Sequence, residues 1–398
     1  QRQMCIRDRS RDSGLFYMCN SDFFLYSGEE IKGRATFLRG KSIMKAGKIV
    51  KITVSVIVLG GLAAAGNYFI GRDGSYYQTA KDGSQTYAYI NEKNSFGHIV
   101  KHPAFSDFSD FIIPWKDRWN SLVMPYQTLR SVCDMNHYNT KAIINGFNFM
   151  LDVCENQQQV FYRYYSEAEM KEDQTLEACG LFFIPGEKNA PFAFVVPGGG
   201  FTAVCSFGEG FPVAQKLHEE GYNVFILQYR VATGQTTTNE LIKSQEAIAN
   251  QDFGKAMGYI LDHADKFQVS SENYSVWGFS AGGRLSQLWG LDNEYGYQRY
   301  GLPSPAAAML AYSGWYDEDF AGCYGTQPPT FFAYVKEDKV IGEQNVKDIE
   351  KTIDIMKNLD KDIEVRAYDH AYHGFGTGAG TDADGWMDEA ISFWEKEM

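Results

Sequence analysis

Tyr274-Ser275-Val276-Trp277-Gly278-Phe279-Ser280-Ala281-Gly282-Gly283 is the stretch on which the reading of this chain turns. Tyr274 to Trp277 has strand character, and Gly282 to Trp289 carries apolar residues at helical spacing. A serine at that junction, with glycine two residues to either side, is the pattern of a strained strand-to-helix turn. Such a turn lifts a hydroxyl clear of a sheet, and larger flanking side chains would clash there. The helix that follows directs its N-terminal partial positive charge at the same point. A bare Gly-x-Ser-x-Gly also arises by chance in many proteins, so the surroundings must carry the argument.

Those surroundings alternate. Gly180 to Ile184, Phe192 to Val196, Asn223 to Gln228, Ala307 to Tyr312, Phe331 to Val335 and Ile363 to Tyr368 are short β-rich runs bounded by Gly, Pro or charged turns. Phe211 to Glu219, Leu241 to His263, Val346 to Leu359 and Gly385 to Lys396 have the three-and-four spacing of helices. From residue 178 to 398 this predicts right-handed βαβ crossovers and a mainly parallel sheet flanked by helices, an α/β architecture.

Two further motifs fall at strand ends. Val195-Val196-Pro197-Gly198-Gly199-Gly200-Phe201 places three glycines where backbone N–H groups can approach a developing oxyanion with no Cβ in the way. By position, Gly199 and Gly200 together with the N–H of Ala281 form the oxyanion hole. C-terminal to the serine, Asp338 follows the Phe331 to Val335 strand and His373 follows the Ile363 to Tyr368 strand. Ser280, Asp338 and His373 thus emerge in the order and on the sheet edge that a nucleophile, an orienting acid and a general base require. His370 and Glu337 compete for the last two roles. His373 is preferred because the following glycine lets its ring reach over the sheet edge. Asp317, Glu318 and Asp319 read as a solvated loop.

These residues resemble the α/β-hydrolase esterases of the acetyl-esterase and hormone-sensitive-lipase-like group, including bacterial carbohydrate acetyl esterases. The likeness runs from about Gly180 to the C-terminus through Pro197-Gly198-Gly199-Gly200-Phe201, Gln228-Tyr229-Arg230, Gly278 to Gly283, Pro328-Pro329-Thr330-Phe331 with Asp338, and His373-Gly374-Phe375. It implies hydrolysis of a short acyl ester, acetyl groups on plant polysaccharide foremost, with neither metal nor organic cofactor. That group commonly has histidine ahead of the three glycines. Pro197 stands there instead, a departure that bears on the usual support of the oxyanion loop but not on its N–H donors. A serine peptidase or aryl formamidase would use the same triad, and a catalytically silent carbohydrate- or partner-binding fold is the alternative from another class. No long apolar insertion follows the Ala307 to Tyr312 strand, which favours short acyl chains.

The front of the chain reads differently. Lys45, Lys48 and Lys51 precede an apolar run from Ile52 to Ala65 that ends in three alanines, the layout of a secretory signal over residues 44–65. The run is short for a bilayer span, which needs about 20 apolar residues. Cleavage after Ala65 leaves a secreted protein with no stable membrane insertion, whereas the uncleaved segment would tether it. Residues 1–43 then read as non-native upstream sequence, and the opening Arg2 to Arg9 resembles a translated sequencing adaptor. Residues 66–177 form an irregular, aromatic-rich N-terminal extension. Within it, Tyr138 to Cys154 predicts an amphipathic helix that packs on the catalytic part. The alternative is a lid bearing Phe105, Phe108, Phe111 and Trp115.

The 398 residues hold 37 Lys and Arg against 50 Asp and Glu, a net charge of -13, which repels phosphate backbones and argues against nucleic acid as a partner. The cysteines show no metal-site spacing. Cys133 and Cys154 are candidates for a bridge in an oxidising compartment, and Cys133, Cys154, Cys179, Cys205 and Cys323 leave an odd count.

Overall fold

The structure, a computed structural model, describes residues 70–112, 124–157, 159–232 and 239–398. The expected signal at 44–65, the segment 1–43 and Trp115 lie outside the described residues. Eight strands form one sheet: β1 (Phe161–Tyr162), β2 (Gly180–Ile184), β3 (Phe192–Val196), β4 (Asn223–Gln228), β5 (Ser275–Phe279), β6 (Ala307–Ala311), β7 (Thr330–Val335) and β8 (Ile363–Tyr368). Their order across the sheet is β8-β7-β6-β5-β3-β4-β2-β1. The strands from β3 to β8 pair in parallel, while β2 runs antiparallel to β4 and β1 antiparallel to β2. The seven longer strands fall where the β-rich runs predicted them. The edge strand β1 is two residues long, too short to show a period in sequence.

Among the described residues the longer helices that cover the sheet are α1 (Thr140–Asn156), α2 (Phe211–Glu219), α3 (Asn239–Asp262), α4 (Ala281–Gly290), α5 (Gly342–Asn358) and α6 (Trp386–Glu397). Alternation along each strand sorts the core into two faces. Ala193 and Val195 of β3 with Val224 and Ile226 of β4 meet Phe147 and Met150 of α1, Phe211 and Val213 of α2, and Trp386 and Trp394 of α6. Phe192, Phe194 and Val196 with Phe225 and Leu227 face the other way, onto Phe253 and Met257 of α3 and Leu285 and Trp289 of α4. Strands buried on both faces read as continuous apolar runs, which is why β2 to β4 were visible without a polar beat.

The N-terminal region shares that first core. The Asn139 side chain caps α1 by accepting from the Ala142 amide at 3.0 Å, and its own amide group donates to Ala379 O at 3.0 Å, tying the helix to the C-terminal part. Phe105, Phe108 and Phe111, the rings considered for a lid, are buried in the layer that covers the sheet. Phe108 lies edge-on to Phe182 of β2 at 5.0 Å and Phe111 packs against Phe161 of β1 at 4.6 Å. A lid must expose its apolar face when open, and these three rings are committed to the core instead. Among the described cysteines none is in a disulfide, Cys133 and Cys154 included.

Candidate active site

The chain enters the site along β5 and leaves it along α4, and Ser280 is the residue between them. Its backbone sits at φ 50° and ψ −120°, a left-handed conformation rarely adopted by a residue with a side chain. The amide of Ser280 donates to Ala311 O at 3.0 Å, which anchors the strained turn to β6. The flanking glycines have a steric cause. A Cβ on Gly282 would fall 2.0 Å from Val196 O and 2.6 Å from Pro197 O, so the helix start could not approach β3.

His373 follows β8 and Asp338 follows β7; the histidine reaches the serine and the aspartate reaches the histidine. His373 Nε2 is 2.9 Å from Ser280 Oγ, and His373 Nδ1 is 2.7 Å from Asp338 Oδ2. Asp338 is 4% exposed, and its other oxygen accepts from the amides of Val340 at 2.9 Å and Ile341 at 3.2 Å. Burial alone would push this carboxyl up. The hydrogen bond and positive charge offered by His373, with the two amides, outweigh it and hold the group below the usual carboxylate range. Neither rival joins this chain: His370 and Glu337 are exposed, and His370 bonds through its backbone amide to Asp382.

The glycine loop bends beside the serine. Gly199 and Gly200 have φ of 133° and 61°, and the turn closes through the amides of Thr202 and Ala203, each 3.1 Å from Gly199 O. Gly198 packs so closely that a Cβ there would stand 2.7 Å from Ser280 Cβ. With Ala281 opening α4, the three amides expected to form the oxyanion hole belong to the two segments that flank the Ser280 side chain.

Three side chains that sequence reasoning passed over complete the surroundings. Tyr229 donates from its hydroxyl to Pro197 O at 2.8 Å. Glu209, 3% exposed, accepts from the Gly198 amide at 2.6 Å through one oxygen and from the Tyr312 hydroxyl at 2.8 Å through the other. The Tyr312 ring in turn lies 4.9 Å from the His373 ring. Burial raises the Glu209 carboxyl against the pull of those two donors. Tyr229 stood inside the quoted Gln228-Tyr229-Arg230 mark, and Glu209 between two glycines, but neither signal names a partner. The acidic loop after β6 also differs from expectation. Glu318 and Asp319 are exposed, yet Asp317 is half-buried and pairs with the buried Arg284 of α4.

A mainly parallel eight-stranded sheet, a serine on a strained strand-to-helix turn and histidine and aspartate from the two following strand ends together define an α/β-hydrolase fold. Residues 182–317 match the BD-FAE family. The chain is 22% identical to an acetylxylan esterase of Xylanibacter ruminicola, over 49% of this chain and 43% of that protein. It is 31% identical to endo-1,4-beta-xylanase B of Butyrivibrio fibrisolvens over 23% of this chain and 13% of that one. The chain thus spans less than half the length of these curated relatives. Among solved structures, the acetyl ester-xyloside bifunctional hydrolase of Caldicellulosiruptor lactoaceticus aligns with a TM-score of 0.46 at 18% identity, covering 59% of this chain and 95% of that one. The chain thus has an α/β-hydrolase fold and is similar over part of its length to an acetylxylan esterase.

Proposed function

We propose that this chain hydrolyses short acyl esters, acetyl groups on plant polysaccharide foremost, through an acyl-enzyme on Ser280. The observation that carries this reading is the unbroken relay from Ser280 Oγ through His373 to Asp338, at 2.9 and 2.7 Å. Ser280 Oγ attacks the ester carbonyl while His373 Nε2 takes its proton. The carbonyl oxygen becomes an oxyanion that accepts from the amides of Gly199, Gly200 and Ala281. As the intermediate collapses, His373 returns the proton to the departing alcohol and the acyl group stays on Ser280. Water then repeats the sequence, giving its proton to His373 and releasing the acid and the serine. Asp338, ionised at neutral pH, holds the Nδ1–H tautomer and stabilises the imidazolium.

Similarity to an acetylxylan esterase supports the acetyl and xylan end of the proposal. The connection from β6 to β7 supports short chains, since it holds only loops and single 3-10 turns. Secretion through residues 44–65 fits a polysaccharide substrate outside the cell. The test is a panel of acetyl, longer acyl, feruloyl, aminoacyl and formanilide substrates on parent and Ser280→Ala proteins, with fluorophosphonate labelling alongside. Acetyl ester turnover lost in Ser280→Ala is the expected result. Preference for aminoacyl or formanilide substrates would assign the triad to a peptidase or formamidase. A parent that neither labels nor turns over would leave a silent binding fold.

A further inference from the structure

The amides of Gly199 and Gly200 can stabilise an oxyanion only if they are aimed before the reaction begins, because donors that must reorganise give back the energy they supply. Three consecutive glycines have no side chains to pack and lose the most conformational freedom on ordering. Something outside the loop must therefore hold it.

The structure supplies a clamp from three directions. The peptide unit between Pro197 and Gly198 has its carbonyl bonded by the Tyr229 hydroxyl at 2.8 Å and its N–H bonded to Glu209 Oε2 at 2.6 Å. The carbonyl of Gly198 accepts from the Cys205 amide at 3.0 Å. A peptide plane held at both its N–H and its C=O cannot rotate without breaking one bond, and the next two peptides are the proposed donors. Tyr229 directly follows β4 and is 1% exposed, so its hydroxyl is fixed by packing. Glu209 lies in a π turn, Ser206–Gly210, ahead of α2. Such turns recur at functional sites, and this one sets the carboxylate beneath the loop. The second oxygen of Glu209 reaches Tyr312, whose ring abuts His373 at 4.9 Å.

We propose that Glu209 and Tyr229 are positioning residues: they lock the Pro197–Gly198 peptide plane and so aim the Gly199 and Gly200 amides at the oxyanion. This rests on the ester hydrolysis proposed above. Because the clamp serves a charge that exists only in the transition state, its loss acts on kcat and on the affinity of tetrahedral analogues, and leaves KM largely alone.

The test compares full-chain Glu209→Ala, Glu209→Gln and Tyr229→Phe with the parent, using an aryl acetate for kcat and KM and a trifluoromethyl ketone for tetrahedral-adduct affinity. Rates are expressed per fluorophosphonate-titrated site, and folding is followed by thermal unfolding. Glu209→Ala is expected to lower kcat about 10²-fold and weaken the ketone by a similar factor, with KM within about threefold. Glu209→Gln keeps an acceptor for the Gly198 amide and a second group for Tyr312, and is expected to recover to within about tenfold of the parent. Tyr229→Phe should lose about tenfold in kcat with the same pattern. The inference is overturned if Glu209→Ala keeps parental kcat per titrated site, if KM alone rises, or if only the number of titratable sites falls. Should Glu209→Ala not fold, Tyr229→Phe decides, and a parental kcat and ketone affinity overturns the inference. A parent with no Ser280-dependent ester turnover refutes the proposed function instead, so the two failures are distinguishable.

Discussion

Replacing Asp338 with asparagine changes one atom and should disable the histidine without disturbing the fold. The outcome follows from where the two carboxylate oxygens point. Asp338 Oδ1 accepts from two amides, those of Val340 and Ile341, so an asparagine must keep its carbonyl oxygen on that side or set donor against donor twice. Its NH₂ then faces His373 Nδ1 at the site now spanned by 2.7 Å. That nitrogen must become the acceptor, which moves the ring proton to Nε2, where it points at Ser280 Oγ and cannot remove its hydrogen. The expected loss in kcat is about 10³- to 10⁴-fold, or about 4–5.5 kcal/mol of barrier. Acid stability is expected to shift as well. The carboxyl is held low in the folded protein, so it contributes stability above its unfolded pKa, about 3.9, which is lost as pH falls through the lower folded value. Asparagine removes that component. Steady-state kinetics on an aryl acetate, with thermal unfolding at pH 7 and in acid, tests both. A variant that folds normally and retains kcat within tenfold would refute the tautomer argument.

Ser280→Ala and His373→Ala should each lower kcat by about 10³-fold or more, and the double variant should be no worse than either single one, since the two act as a unit; kinetics on all three proteins checks this. Gly282→Ala forces a Cβ onto Val196 O and Pro197 O, and overpacking of this kind is expected to cost about 1–3 kcal/mol in urea unfolding together with a drop in kcat. Phe108→Ala should cost about 3–5 kcal/mol of stability and leave KM unchanged, because the ring is buried against Phe182; a changed KM at parental stability would restore the lid reading. Burial pushes the thiols of Cys133 and Cys154 up to about 12, so neither should react with a disulfide reagent at pH 8 until the protein is unfolded, a comparison that thiol titration makes directly.

Much of the chain from residue 178 onward is legible in the sequence. β2 to β8 and α2 to α6 have periods set by local geometry, and Gly278 to Gly283 is a steric signature: the close approach of Gly282 to β3 admits no side chain, and that shows as residue identity. Ser280, Asp338 and His373 could be located because each follows a strand, and strand ends on one edge of a parallel sheet converge. The N-terminal region was less legible. Its aromatic residues sit on short turns and 3-10 segments whose spacing carries no period, so Phe105, Phe108 and Phe111 looked as suited to a lid as to a core. Arg284 and Asp317 were opaque for a similar reason, since an ion pair between α4 and a distant loop leaves no mark on either segment.

By itself, then, the sequence determined the order of elements, the strained serine turn and the three residue types that meet at it, because backbone sterics and hydrophobic period act over a few residues and are written in them. Only the tertiary structure decided that the aromatic extension closes one face of the sheet, and that Glu209, Tyr229 and Tyr312 brace the glycine loop and the histidine. Glu209 and Tyr312 stand 103 residues apart in the chain. A hydrogen bond over that separation depends on how strands are ordered in the sheet, and no local rule of composition or spacing encodes it.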